Sequence, residues 1–537
     1  MLMKSRNTFV KALAFVLLST FVFAACTPKS TQSGPAAVKS AHKVEFVILQ
    51  FNDVYEISPM DNGKVGGMAR VATIKKQLEQ TGMPVITILD GDYLSPSLLG
   101  TLSCNFPSGK ERVNGRHMVE VLNALGTDYV TFGNHEFDLK APDLNARNNE
   151  SQFRIISSNC RYVADKGVVR FNQGDQMVPD YMVHAIPNQH GDTLKLGLIG
   201  VTLEFTQQKY LQYLNPYQAS KDAFEQASKV SDVVFGITHL SMEQDDTLAR
   251  KVPGMPLLMG GHEHQNMSRK VGETFIAKAD ANVKSLYLHW CTWDMDTQKM
   301  EIWSQLMPIT DAIPSDPAVE AIVKKWETFG DQCMKDQGYQ PYDSIGFAFA
   351  PLDGRDGSMR TSQTNLGFLL CDAFKKADSK ADLAIMNSGS VRIDDQINGF
   401  VVQKHILATL PFGGNLQHGN VLGRDLRRLL DAGLAPALDK SGAHLQYSSN
   451  VRRQGSNFLI DGNPLDDAQT YVLCLPGFLA GGGEAALGFI KGISTWSDIA
   501  LTPANQGGPA KNDVRDIAIW YMKQSGQMEA IRAMMKK

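Results

Sequence analysis

A short apolar run, Tyr129-Val130-Thr131-Phe132, stops abruptly in Gly133-Asn134-His135-Glu136-Phe137-Asp138. A buried strand gains nothing from an amide, an imidazole and two carboxylates at its tip, but a strand end holds such groups rigidly just outside a sheet. Four other segments end in the same way. They are 44–49 before Gln50-Phe51-Asn52-Asp53, 85–89 before Asp90-Gly91-Asp92, 233–238 before His239, and 256–259 before Gly260-Gly261-His262-Glu263-His264. Asp53, Asp92, Asn134, His239, His262 and His264 together are oxygen and imidazole donors, the mixture that suits two divalent ions such as zinc or manganese. One such tip is ordinarily a turn or cap residue; five in succession describe loops converging on a site.

Amphipathic stretches at 68–80 and 117–125 lie between the tips, so strand and helix alternate and an α/β layered domain is expected from about residue 43 to 315. The segments 274–277 and 285–292 read as strands without intervening helices, which makes the sheet mixed or antiparallel there. Val319, Ile322, Val323, Trp326 and Phe329 recur at helical spacing after Asp316-Pro317, predicting a helix within 316–340. Two placements fit it, a linker between domains or a helix packed on the first. A helix at 365–375, a strand at 383–386 and a polar loop from Asn387 to Arg392 then begin a second α/β domain, 341–530. Two domains also suit 537 residues, more than one core accommodates.

Charge excludes one class of partner: 53 basic residues against 56 acidic ones leave no electrostatic footprint for a DNA or RNA duplex. At the N-terminus Lys4, Arg6 and Lys11 precede the apolar run 12–25, an export signal too short to span a bilayer. Small residues before Cys26 and the polar tether 26–42 resemble a bacterial lipobox, although Phe23 stands where leucine is usual. The resemblance implies acylation of Cys26 and a lipoprotein anchored at the cell envelope, on the periplasmic face or outer membrane. The other six cysteines fit no zinc-knuckle spacing, and an exported chain can pair some of them; the spacing does not say which.

Phosphate ester cleavage needs an activated water, neutralised phosphoryl oxygens and a group that steadies developing charge. Two adjacent metals supply the first two. Asp92, ending its strand before the polar Tyr93-Leu94-Ser95 turn, is the candidate to bridge them, and Asn134 binds one through its amide oxygen. His135 is then free to act on substrate as a cation, and Asp138, three residues on, is placed to orient it.

The elements Asn52-Asp53, Gly91-Asp92, Gly133-Asn134-His135-Glu136, Thr238-His239 and Gly261-His262-Glu263-His264 resemble, in order, the calcineurin-like metallophosphatase signature. More narrowly the chain resembles the 5′-nucleotidase family, over about residues 45–500. The resemblance implies a four-layer α/β/β/α sandwich followed by a second α/β domain that binds nucleotide. It also implies Asp138 as partner of a catalytic His135. Met359 through Gly367, Asn387 through Arg392, Leu410 through Asn415 and Phe478 through Glu484 are similar to that second domain. There Phe412 and Phe478 would sandwich a base, Arg360 and Arg392 grip phosphate or ribose oxygens, and Asn387, Asn415 and Glu484 bond the base or sugar.

The family pattern breaks at Tyr55, which stands where a metal-binding histidine is usual, so the first site, Asp53, Asp92 and His264, is weak, iron-selective through phenolate, or completed by water. Gly413-Gly414-Asn415 displaces an amide by one residue, and Glu484 replaces a shorter aspartate. The expected activity is hydrolysis of nucleoside 5′-monophosphates, with domain rotation between loading and catalysis and the 316–337 segment near the hinge. Alternatives are cleavage of UDP-sugars or 2′,3′-cyclic nucleotides, or a surface nucleotide-binding lipoprotein with an impaired metal site.

Overall fold

The computed structural model describes residues 42–438 and 441–524. The export signal, most of the tether and Cys26 lie outside the described residues.

Strand Lys43–Phe51 shows how one sequence serves two cores. Side chains alternate across a strand, so Val44, Phe46 and Ile48 enter one apolar cluster while Val47, Leu49 and Phe51 enter another. Both faces are covered, which is why the run is almost continuously apolar. Its sheet has the order Lys299–Pro308, Ser285–Asp294, Lys43–Phe51, Val85–Leu89, Tyr129–Thr131, Arg154–Ile156. The four strands from Lys43–Phe51 onward are parallel, and the two C-terminal ones join antiparallel.

A second six-stranded sheet runs Tyr181–Pro187, Thr193–Thr202, Val233–His239, Leu257–Gly260, Thr274–Lys278, Met267–Val271, parallel at its centre and antiparallel at both edges. Leu194, Leu196, Leu198, Phe235, Ile237 and Met259 pack against Phe46, Ile48, Ile86 and Ile88 between the sheets. Helices Met68–Glu79 and Arg116–Leu125 cover the outer face of the first sheet, and Pro216–Ala227 and Met242–Lys251 that of the second. The result is the expected four-layer sandwich, with the mixed sheets foreseen from 274–292. Parallel neighbours Lys43–Phe51, Val85–Leu89 and Tyr129–Thr131 end on the same side, as do Val233–His239 and Leu257–Gly260, so all five reactive tips emerge at one edge.

The helix Pro317–Asp336 is capped by Asp316, whose side chain accepts from the backbone N–H of Ala318 and Val319 at 3.1 and 3.2 Å. It packs on Met68–Glu79 and Arg116–Leu125. Trp326 Nε1 donates to Glu120 at 2.8 Å, and Cys333 is disulfide-bonded to Cys104. Of the two placements open to it, this is the helix on the first domain. The disulfide and buried Trp326 fasten the helix to the first domain. Cys160, Cys291, Cys371 and Cys474 are free and buried.

The second α/β unit is built on a five-stranded sheet, Leu445–Tyr447, Leu383–Asn387, Thr470–Pro476, Leu416–Leu422 and Ser497–Asp498. Helices Asn365–Ala377 and Gly423–Gly433 bury leucines against it. Among the described residues no helix is long and apolar enough to cross a membrane.

Candidate active site at the strand tips

Asp53, Asp92 and His239 come from three different strand ends, yet their ligand atoms lie within 4.8 Å of one another. His239 donates through Nδ1 to the Asp90 carbonyl at 2.7 Å, which turns Nε2 toward Asp92 Oδ2 at 3.2 Å and Asp53 Oδ1 at 3.9 Å. His262 Nδ1 lies 3.2 Å from Asn134 Oδ1, and its backbone N–H donates to Asp53 Oδ2 at 2.8 Å. His264 Nε2 stands 3.5 Å from Asp53 Oδ1. The six expected donors therefore lie in one contiguous cluster of contacts.

The Tyr55 hydroxyl sits among them, 2.9 Å from Asp92 Oδ2, 3.5 Å from Asp53 Oδ1 and 3.1 Å from His264 Nε2. Burial and the carboxylates of Asp92 and Asp53 push the phenol pKa well up. Burial pulls the His239 pKa down, but Asp92 and Asp53 outweigh it and hold the imidazole up to about 10. A buried site that charges its own histidine is one whose fixed anions ask for cations.

Three further observations test whether these residues fit a metal pair. Buried His239 Nε2 faces only carboxylate oxygens, Asp92 Oδ2 at 3.2 Å and Asp53 Oδ1 at 3.9 Å. Asp53, Asp92, His262 and His264 all adopt positive φ, of 50°, 58°, 91° and 59°. Such backbone costs about 1–3 kcal/mol per residue and persists where tertiary structure forces side chains to converge. Finally, a Cβ on Gly261 would lie 2.8 Å from Asp53 Oδ2 and 2.9 Å from His239 Nδ1, so only glycine lets these loops close. The donor set fits two divalent ions, with Asp92 the carboxylate facing both groups of ligands.

A second donor cluster joins His264 to the following domain: its Nδ1 lies 3.1 Å from Asp356 and 3.7 Å from Asp394. Burial disfavours a charged His264, but Asp356, Asp53 and Asp394 raise its pKa to about 9. Carboxylates behind a ligating imidazole fix its orientation and raise its basicity.

His135 lies beside the donors rather than among them. Its backbone N–H donates to Asp92 Oδ1 at 2.8 Å, and its Nδ1–H donates to Asp138 Oδ2 at 2.7 Å, leaving Nε2 for substrate. Ser95 Oγ donates to the same carboxylate at 3.1 Å.

Residues outside the donor set hold the loops. Glu136 is fully buried and accepts four backbone N–H groups, from Asp92, Tyr93, Leu94 and Gly133, at 2.6–3.0 Å. Burial and nearby Asp92 nevertheless raise its pKa to about 7. Glu136→Gln replaces one accepting oxygen by an amide that only donates, and should cost about 1–3 kcal/mol in chemical denaturation. An unchanged unfolding midpoint would deny Glu136 this scaffolding role. Asn282 Oδ1 accepts the N–H of Tyr55 and Glu56, and Asn52 exchanges bonds with Ala279, pinning the first tip. Lys278 pairs with Asp245 and Glu263 beneath the last.

The expected nucleotide residues divide. Phe412 and Phe478 are 48% and 57% exposed, too open for core aromatics, and they line one cavity of about 370 Å³ with Asn387, Arg392, Asn415 and Glu484. Arg392 lies 5.6 Å from the Phe412 ring centre, and Asn387 donates to Glu484 at 2.6 Å. Asp138 also borders this cavity. Asn415 is turned to Asp498 at 2.5 Å. Arg360 is paired at 2.6 Å with Asp356 behind His264.

Sandwich, strand-end location and donor set define a metal-dependent hydrolase of the dinuclear phosphoesterase class. Residues 46–266 match the family model of the calcineurin-like phosphoesterases, and residues 344–489 that of the 5′-nucleotidase C-terminal domain. The chain belongs to the family that joins these two domains. It is 28% identical over 516 residues to a snake venom 5′-nucleotidase of Gloydius brevicauda, covering 83% of this chain and 82% of that protein. To the 5′-nucleotidase of Homo sapiens it is 25% identical over 507 residues, 82% of this chain and 83% of the other. The crystal structure of a 5′-nucleotidase precursor from Thermus thermophilus has the same fold, with a TM-score of 0.70 at 20% identity over 89% of this chain and 96% of that one.

Proposed function

We propose that the protein hydrolyses nucleoside 5′-monophosphates to nucleoside and phosphate, with Asp53, Asp92, Asn134, His239, His262 and His264 as metal ligands and His135 and Asp138 as the catalytic pair. One observation carries this reading: Asp138 borders the same cavity as Phe412 and Phe478, so a base held there points its phosphate toward the His135 dyad. A base between the two rings gains about 1–3 kcal/mol per stack whatever its identity. Arg392 is the cation available to ribose or phosphate oxygens, Asn387 and Glu484 the polar contacts. Arg360, paired with Asp356, would be a second cation for those oxygens. Bound cations would neutralise the phosphoryl oxygens and activate a water for in-line attack. Protonated His135, held by Asp138, would stabilise the charge that develops as the ester bond breaks.

Phosphate release from a panel of nucleotides, with and without chelator, tests this, and products from a UDP-sugar and a 2′,3′-cyclic nucleotide separate the alternatives. Phe412→Ala and Phe478→Ala should each raise KM by about 5–150-fold with kcat nearly unchanged. A fall in kcat alone would place the rings outside the substrate site. Retained nucleotide affinity with less than one equivalent of metal would favour a binding protein over an enzyme.

The enzyme would work outside the cytoplasm. The basic-apolar leader and the Cys104–Cys333 disulfide suit an oxidising compartment. Acylation at Cys26 would supply the membrane anchor, and Cys26→Ser should then move the protein from the membrane to the soluble fraction.

A further inference from the structure

We propose that the protein has a second ligand site, between its two domains and apart from the nucleotide cavity, for a small organic cation: a protonated amine on an apolar or aromatic body. A cavity of about 380 Å³ opens there, within the range of about 300–1,000 Å³ usual for small-molecule sites. Residues 56–62, the stretch from Leu98 to Leu102 and the helix Pro317–Asp336 wall it on the first-domain side, and residues 393–408 on the other. No residue lines both this cavity and the nucleotide cavity.

The apolar part of the wall specifies the body of the occupant. Leu98, Leu102 and Met334 are buried, and with the indole of Trp326 they line the cavity. Such a surface draws a hydrocarbon or aromatic group out of water.

Charge specifies the other end. Four carboxyl side chains, Glu56, Asp61, Glu327 and Asp395, line the cavity against a single ammonium, Lys404, which is already paired with Asp331 at 3.0 Å. Burial raises the Glu56 pKa to about 7 despite Lys404, and burial raises that of Asp395 as well. Acidic groups this short of counter-charge favour a cation and repel an anion. Ser58 Oγ donates to Glu327 Oε1 at 2.6 Å, which orients that carboxylate. His117 is a separate sign of a missing partner. It is 1% exposed, lines the same cavity, and its Nδ1 has no hydrogen-bond partner among the described residues. Burial lowers its pKa to about 3, so the ring is neutral; in the tautomer that donates through Nε2 to Ser97 Oγ, at 3.4 Å, Nδ1 is an acceptor, the group an ammonium needs.

Three probes with one phenyl body separate these contributions: phenethylamine, 2-phenylethanol and 3-phenylpropionate carry an ammonium, a hydroxyl and a carboxylate. Titrated calorimetrically into the full chain at neutral pH, phenethylamine should bind at one equivalent, about tenfold or more tighter than the alcohol, with the carboxylate weakest. Glu327→Gln should bring the amine down to the level of the alcohol. Ala408→Phe, which fills the cavity from the second domain, should abolish binding with the far-ultraviolet circular dichroism retained, whereas Phe412→Ala, in the nucleotide cavity, should leave amine binding unchanged. If Ala408→Phe does not fold, Glu327→Gln decides. No binding of phenethylamine, equal binding of the three probes, or preference for the carboxylate would overturn the proposal, as would amine binding that survives a folded Ala408→Phe or disappears in Phe412→Ala. The measurement requires no turnover, so a chain that hydrolyses no nucleotide would sink the proposed activity and leave this site standing.

Discussion

His135→Ala is expected to lower phosphate release from nucleotides by about 10²–10⁴-fold, the range for loss of a positioned acid–base group, with the bound metal content unchanged. The side chain contacts Asp138, at 2.7 Å through Nδ1, and only its backbone N–H reaches Asp92. Truncation should therefore leave the donor set intact and remove the imidazole that Asp138 orients. Asp92→Ala should behave differently. Its carboxylate faces Tyr55, His239 and the His135 backbone at once, so its loss should reduce both metal content and turnover. Metal analysis beside steady-state kinetics on both variants makes the comparison. Equal loss of metal in the two would move His135 into the ligand set and leave the proposed roles without support.

Lys278→Met should destabilise the protein by about 3–5 kcal/mol, a large part of the usual stability of a domain. The ammonium is buried and reaches Asp245 at 2.9 Å, Glu263 at 2.5 Å and the Gly261 carbonyl at 2.8 Å. Methionine fills similar volume, so the cost comes from leaving two carboxylates buried without a counter-ion rather than from a cavity. Burial lowers the Lys278 pKa, but both carboxylates more than reverse that. Removing one of them together with the lysine, in Lys278→Met with Asp245→Leu, should recover part of the loss. Denaturant unfolding of the single and double variants checks this, and a single variant within about 0.5 kcal/mol of wild type would show the pair to be idle. Because Glu263 lies between His262 and His264, the same change should loosen the last pair of donors.

Much of the site was legible because strand tips carry their chemistry locally. An apolar run that ends in Asn134-His135, or in Gly261-His262-Glu263-His264, places functional groups outside a sheet whichever partners the strand finds. The His135–Asp138 bond was readable too, since three residues of a short helical turn, His135–Asp138, bring both side chains to one face. Glu136 was visible as a residue but not as a scaffold. Its four bonds reach across to the loop after Val85–Leu89, a relation created only by the pairing of those strands.

Periodicity gave the helix Pro317–Asp336 its length and apolar face, yet left its neighbour open. An apolar stripe records that something covers it, and Trp326 with Cys333 found the first domain.

The sequence by itself determined the elements and the donor types, and its resemblance to a family supplied the sandwich and the place where the metal pattern departs. Folding alone decided that Tyr55 stands among Asp53, Asp92 and His264, that Asp356 backs that histidine, and that Asp138 borders the aromatic cavity. Periodicity and local chemistry are properties of neighbouring residues along the chain. Distances between side chains a hundred or more positions apart are fixed only when strand register and packing bring those positions together.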